Sequence, residues 1–98
     1  MRVGLLARIE AKPEHVEKVE GMLRDAVALA EQEDGTVTWY SFRQDATTFG
    51  VFDTFDDEDG RRDHLEGKIA AALMGVAETL LSAAPVITPI DVLAAKKA

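Results

Sequence analysis

His64 is the side chain of this chain best placed for proton chemistry near neutral pH. It stands nine residues after the aromatic-rich segment that ends at Phe55. Imidazole has the unperturbed pKa nearest to neutrality, so a positioned histidine can take a proton from an acidic phenol or quinol. The resulting phenolate is electron-rich enough to pass an electron to oxygen. His64 is therefore the candidate catalytic residue, acting as a base or as a hydrogen-bond donor.

The orientation of His64 depends on whether the helix that carries it is continuous. In a straight helix over 57–82, His64 would lie more than about 90° from the centre of the apolar stripe and would be solvated. A break at Glu66-Gly67-Lys68 would instead let the first part of the helix direct His64 at a pocket. Glycine costs a helix interior about 1 kcal/mol relative to alanine, which is compatible with such a break. Both arrangements remain open on the sequence. The stripe consists of Leu65, Ile69, Ala72, Val76 and Leu80.

The other polar groups suggest structural roles. His15 falls in the first turn of a predicted helix, where the helix dipole disfavours a cation, and we place it on the surface. The acidic residues Asp53 and 56–59 do not have the spacing of a calcium loop, so we interpret them as helix-capping groups. The two histidines are too far apart in sequence for a helical metal pair, and no metal or cofactor site is predicted. No nucleotide-binding or serine-nucleophile motif is present.

Composition limits the classes of function. The chain has 98 residues and no cysteine, which excludes disulfides and thiolate chemistry. Its net charge of −7 disfavours a nucleic-acid or anionic-membrane partner. No apolar run is long enough to span a bilayer or serve as a signal peptide, so the expected location is cytoplasmic.

Hydrophobic periodicity and turn residues predict six elements in the order β-α-β-β-α-β. Pro13 suits the first position of a helix, and Asp56 or Asp57 can cap the second helix. Gly67 and Gly75 are expected to interrupt that second helix, and Pro89 indicates an edge strand or a bulge. The order is that of a ferredoxin-like α+β fold with an antiparallel sheet. The elements are a strand Arg2–Glu10, a helix from Pro13 to about Asp34-Gly35, strands Thr36–Gln44 and Thr48–Phe55, a helix from about Asp57 to Ala84, and a strand Val86–Leu93.

Large apolar side chains occur on both faces of the predicted strands. On the second strand, Val37 and Trp39 should point to one side of the sheet, and Tyr40 and Phe42 to the other. Leu6 and Phe52 should likewise point to the opposite side from the apolar residues next to them on their own strands. A sheet covered by helices on one face should be polar on the other. A large exposed apolar face usually marks an interface, so we expect a homodimer formed sheet against sheet.

The order of elements, the Gly35–Tyr40 turn into the second strand and the Phe52–Phe55…His64 segment resemble the antibiotic biosynthesis monooxygenase family of dimeric α/β barrels. The resemblance covers residues 1–93 as a single domain, and 94–98 are expected to form a flexible tail. It implies protomers paired through their sheets, each with a pocket between sheet and helices. Characterised members oxidise quinols or polycyclic phenols with molecular oxygen, without metal or flavin.

The resemblance also implies roles for three residues. His64 matches the histidine that the family commonly has on this helix, Phe55 stands where a tryptophan commonly ends the third strand, and Trp39 stands where a tyrosine is frequent. We expect Trp39 and Phe55 to bind substrate beside His64. A haem-degrading branch needs an asparagine on the first strand and a tryptophan before the histidine. This chain has Leu6 in that strand and no such tryptophan.

Two classes of function are compatible with these observations. The first is a cofactor-independent monooxygenase acting on a quinol or polycyclic phenol. The second is a non-catalytic dimeric module that binds a small apolar ligand. Fold alone does not choose between them, because function is determined by the site.

Overall fold

The computed structural model describes residues 1–96. Within them four strands and four α-helices follow one another, with a short 3₁₀ turn at Pro13–His15 before the first helix. Their bounds are β1 Val3–Glu10, α1 Val16–Asp25, α2 Val27–Ala30, β2 Thr36–Arg43, β3 Thr48–Phe55, α3 Glu58–Leu65, α4 Lys68–Leu80 and β4 Val86–Asp91. None of the helices in the described part of the chain is long and apolar enough to cross a bilayer.

The four strands form one sheet in the order β2-β3-β1-β4, and every neighbouring pair is antiparallel. This confirms the predicted ferredoxin-like α+β fold. Pro89 lies in β4, which is an edge strand. Proline has no N–H to donate, and at an edge this does not remove a hydrogen bond from the middle of the sheet. The expected tail at 94–98 is only partly described. Residues 94–96 are exposed and outside any strand or helix, whereas 97–98 lie outside the described residues.

Strand alternation decides which side chains meet the helices. On β1, Leu5, Ala7 and Ile9 are buried while Leu6 is 42% exposed, so the odd-numbered residues face the helices. The antiparallel register sets them beside the buried Phe49 and Val51 of β3. The helices contribute the rest of the core from Val19, Leu23 and Leu73.

Several predicted boundaries were wrong for local reasons. The first helix is interrupted at Ala26 and ends at Ala30, not at Asp34-Gly35. No described glycine has a positive φ, so Gly35 does not end a helix in the left-handed conformation. Gly75 does not interrupt α4, which ends at Leu80, before Ala84. The cap of α3 is confirmed at Asp57, whose Oδ1 accepts a hydrogen bond from the Gly60 N–H at 2.9 Å.

A β-bulge changes the faces of β2. The register with β3 shifts between Thr36 and Thr38, which leaves Val37 as an extra residue. Trp39 pairs with Asp53 and packs against the core, so it lies on the inner face. Val37 is 45% exposed, and the regular alternation from which we predicted that it shares the face of Trp39 is interrupted at this residue.

Two glycines allow α3 to approach the start of β2. A Cβ atom added at Gly60 would lie 2.8 Å from the Gly35 carbonyl oxygen, and one added at Gly35 would lie 2.9 Å from the Gly60 Cα. Both contacts are with backbone atoms, which cannot rotate away. The absence of both side chains therefore fixes the depth at which α3, and with it His64, sits against the sheet.

We expect Gly60→Ala to lower the free energy of unfolding by about 1–3 kcal/mol, as overpacking usually does. Gly75→Ala is the matched control, since Gly75 lies in α4 with no atom within 4 Å of an added Cβ. That variant should gain about 0.5–1 kcal/mol from helix propensity. Urea denaturation of both variants makes the comparison, and equal stabilisation by the two alanines would contradict the close approach.

Candidate functional site

His64 points into the protein because the second helical region is broken. α3 ends at Leu65, and Gly67 has extended backbone at the start of α4. The two helices can therefore take different directions, and His64 is buried with 7% of its surface exposed. Of the two arrangements that the sequence left open, the broken helix is the one that forms.

Both ring nitrogens of His64 meet carboxylates. Nδ1 lies 2.6 Å from Oε1 of Glu33, and Nε2 lies 2.9 Å from Oδ2 of Asp53. Ionised carboxylates only accept hydrogen bonds, so this geometry suits a doubly protonated imidazolium that donates from both nitrogens. Burial by itself would lower the pKa of His64, but the hydrogen bonds to Asp53 and Glu33 outweigh it and raise the pKa above 6.5.

The two carboxylates come from different parts of the fold. Asp53 is on the inner face of β3, opposite Leu5 on one side and Trp39 on the other, and is 1% exposed. Glu33 lies between α2 and β2 and also accepts a hydrogen bond from the Thr36 hydroxyl at 2.8 Å. An added Cβ at Gly67 would lie 3.2 Å from Glu33 Oε2. The absence of a side chain at Gly67 therefore provides space for this carboxylate.

Phe55 and Trp39 have different relations to His64. Phe55 is fully buried, and the centroid of its ring lies 5.4 Å from that of His64, with the rings tilted by 44°. Trp39 is half-buried against the core, and its Nε1 is buried without a hydrogen-bond partner among the described residues. The same is true of the second carboxylate oxygen of Asp53, Oδ1.

Two apolar cavities lie between the sheet and the helices. The smaller, about 40 Å³, has Asp53 and His64 as the polar groups in its wall. The larger, about 250 Å³, shares Val51, Ile69 and Leu73 with it. Trp39 and Phe55 are not among the described lining residues of either. The rest of the smaller cavity is lined by Leu5, Ala7, Val51, Leu65, Ile69, Ala70, Leu73 and Ile87.

The structure thus brings His64 into contact with Phe55 and puts Trp39 opposite Asp53, which itself binds His64. The sequence analysis did not predict that Asp53 and Glu33 bind His64. The interpretation of Asp53 as a capping group was wrong, because Asp57 caps α3 while Asp53 is in the core. Strand alternation places Asp53 on the same face as Val51 and Phe55, and a carboxylate at such a position indicates a special role. Nothing in the sequence marks Glu33.

The raised pKa of His64 makes a prediction about stability. A group whose pKa is higher in the folded state stabilises most below its unfolded pKa, about 6.5, and this contribution is lost as pH rises through the folded value. His64→Gln should therefore lose about 3 kcal/mol or more of unfolding free energy at pH 6, because it leaves a buried carboxylate unpaired. The difference from the wild type should shrink towards pH 9.

Urea denaturation of both proteins from pH 6 to pH 9 measures this difference. Glu33→Gln removes one of the two negative charges beside His64 and should reduce the pH dependence. A difference that stays constant or grows with pH would contradict a protonated His64.

Comparison with known proteins gives matches among solved structures alone. No protein-family model matches this chain, and no curated protein matches it. NE2512 of Nitrosomonas europaea is a protein of unknown function that is 46% identical to this chain. The match covers 99% of this chain and 94% of the NE2512 chain, with a TM-score of 0.95. PA3566 of Pseudomonas aeruginosa is 26% identical, covering 95% of each chain, with a TM-score of 0.81.

A structure described as an antibiotic biosynthesis monooxygenase matches 94% of this chain and 99% of its own, with 17% identity and a TM-score of 0.80. Likeness at that identity shows the fold. The resemblance stated from the sequence is thus confirmed at the level of architecture. The chain belongs to the same family as NE2512 and has the fold of the antibiotic biosynthesis monooxygenases.

Proposed function

We propose that this protein is a cofactor-independent monooxygenase that oxidises a quinol or a polycyclic phenol with molecular oxygen. The observation that carries the proposal is the buried His64, held by two carboxylates in the wall of an apolar cavity between sheet and helices. Pockets that bind small molecules are mostly apolar with a few fixed polar groups. The fold shared with monooxygenases supports the reaction class.

The proposed reaction balances without an external reductant. A quinol and O₂ give a hydroxyquinone and water. The quinol loses two electrons in becoming a quinone, and two more when a ring C–H becomes C–OH. These four electrons reduce O₂, of which one atom enters the ring and the other leaves as water. The substrate thus takes the place of a redox cofactor.

His64 would act in this reaction as a fixed positive charge. With both nitrogens donating to carboxylates, the imidazolium is less suited to be the base than to stabilise the negative charge of the ionised substrate. A preorganised charge of this kind can lower the free energy of the transition state substantially in a site that excludes water. Phe55 would support the imidazole ring, and Trp39 would support Asp53 from the neighbouring strand.

We further propose that the protein is a homodimer formed by the outer faces of two sheets. Leu6, Tyr40, Phe42 and Val86 are 40–59% exposed, and all belong to the strands. The Tyr40 ring stacks on Phe52 at a centroid distance of 6.5 Å, which makes a flat aromatic surface. Monomeric proteins rarely expose contiguous apolar surface of this kind.

Light scattering after gel filtration should report twice the chain mass of 10.7 kDa at micromolar concentration. Tyr40→Lys should weaken the dimer by placing a charge in its apolar contact. Val27→Lys is the matched control, because Val27 is 43% exposed on a helix, α2, and not on a strand, so this variant should leave the dimer intact. A monomeric wild type at that concentration would refute the sheet-to-sheet assembly.

Oxygen uptake tests the reaction. Protein freed of metal and flavin should consume O₂ in the presence of at least one of a panel of hydroquinones and naphthols. It should consume no O₂ in the absence of substrate. His64→Gln should lower the rate roughly 10²–10³-fold, the usual effect of removing one preorganised electrostatic group. The ratio of wild-type to variant rates should fall as pH rises through the raised pKa of His64, because the protonated form acts.

His15→Gln makes the same chemical change at the other histidine, which lies outside the described lining of both cavities, and should keep the wild-type rate. An equal rate for wild type and His64→Gln would remove His64 from the reaction. Binding of a panel compound without any oxygen uptake would favour the non-catalytic binding module, for which the apolar lining of the larger cavity is sufficient.

A further inference from the structure

Asp53 has a hydrogen-bonding group that nothing in the described protein uses. Its Oδ2 binds His64 at 2.9 Å, but its Oδ1 is buried without a partner, and the whole residue is 1% exposed. Burying an unpartnered carboxylate oxygen is costly, and such groups in native proteins usually have a partner. Asp53 also lines the smaller cavity, so a ligand in that cavity would lie beside this carboxylate.

We propose that Oδ1 of Asp53 accepts a hydrogen bond from the hydroxyl group of a phenolic ligand in this cavity and is the base that ionises it. The inference rests on the proposed function for the reaction step, whereas the hydrogen bond itself requires only that a ligand binds. In the step, the O–H bond of the ligand breaks and a new O–H bond forms on Asp53. The negative charge moves from the carboxylate to the ligand oxygen.

The surroundings of Asp53 favour a hydroxyl over other groups. A carboxylate oxygen can only accept a hydrogen bond, so the ligand must bring a donor. The remainder of the cavity wall, apart from His64, is aliphatic, which suits an aromatic ring. His64 donates to the other oxygen of the same carboxylate, so Asp53 is held in one orientation with Oδ1 left for the ligand.

The neighbouring cavity provides the space for a ring system. The small cavity of about 40 Å³ holds little more than the hydroxyl end of a ligand. The adjoining space of about 250 Å³ is separated from it by Val51, Ile69 and Leu73, which border both. Movement of the Ile69 and Leu73 side chains would join the two, giving a site near the lower end of the roughly 300–1,000 Å³ usual for ligands. A phenol with one fused second ring fits this arrangement.

Binding of a matched pair of probes under nitrogen tests the hydrogen bond independently of turnover. 1-Naphthol has the donor, and 1-methoxynaphthalene has the same ring system without it. The wild type should bind 1-naphthol roughly 10- to 100-fold more tightly, the range for a hydrogen bond to a charged group. Titration followed by ligand fluorescence gives both dissociation constants.

Asp53→Asn keeps the shape of the side chain but can turn an amide N–H₂ towards the cavity while its oxygen faces His64. The preference for 1-naphthol should then disappear, and the affinity for the methyl ether should be kept or improved. Asp63→Asn makes the same change on an exposed side chain of α3 that is not among the described lining residues, and should leave the preference intact.

A wild type that binds neither probe, or binds both equally, overturns the inference, and Oδ1 is then satisfied by no more than a buried water. That result needs no variant, so it holds even if Asp53→Asn fails to fold. An unchanged preference in a folded Asp53→Asn also overturns it. Selective binding of 1-naphthol without oxygen uptake would support the inference and refute the proposed reaction, whereas oxygen uptake without selectivity would do the reverse.

Discussion

The charge cluster of Glu33, His64 and Asp53 is the constraint around which the rest of this small domain is arranged. Removing charged groups from water costs several kcal/mol for each, and their mutual attraction offsets this only when the geometry is good. Both ring nitrogens of His64 have an acceptor, at 2.6 and 2.9 Å, so the positive charge is satisfied on both sides. Oδ1 of Asp53 is buried without a partner among the described residues, and Asp53 lines a cavity.

The elements of the fold each contribute one condition for this cluster. β3 supplies Asp53 from the middle of the sheet, where strand alternation turns it towards the helices. The segment between α2 and β2 supplies Glu33. The break after Leu65 turns His64 inward, and the contact between Gly35 and Gly60 sets how closely α3 approaches. A change in any of these moves a charged group relative to its partners, so stability and chemistry are linked at this site.

Much of the fold could be predicted because it depends on local patterns. Alternation in β1 and β3, the acidic cap of α3 and Pro89 in an edge strand follow from the preferences of neighbouring residues. The bulge at Val37 could not be predicted, since it depends on how β2 pairs with β3. The early end of the first helix and the uninterrupted path of α4 through Gly75 also depend on packing more than on propensity.

The candidate site was predictable in part. His64 could be found by residue type, and its inward direction was one of two alternatives that a single glycine left open. Asp53 could have been found by the same alternation that identified the core, because it shares a face with Val51 and Phe55. Glu33 could not, since its hydrogen bond to His64 spans 31 positions of sequence and its surroundings resemble any exposed acidic turn. Contacts of that range are set by tertiary structure alone.

Gly67 links two properties that are usually separate. It ends one helix and begins the next, and its missing side chain also makes the space for the Glu33 carboxylate, 3.2 Å from where a Cβ would be. A side chain at position 67 would press on this carboxylate and on the backbone oxygens of Asp63 and His64, so these atoms would have to shift by a few tenths of an ångström. A substitution chosen to strengthen the helices would therefore also act on the charge cluster.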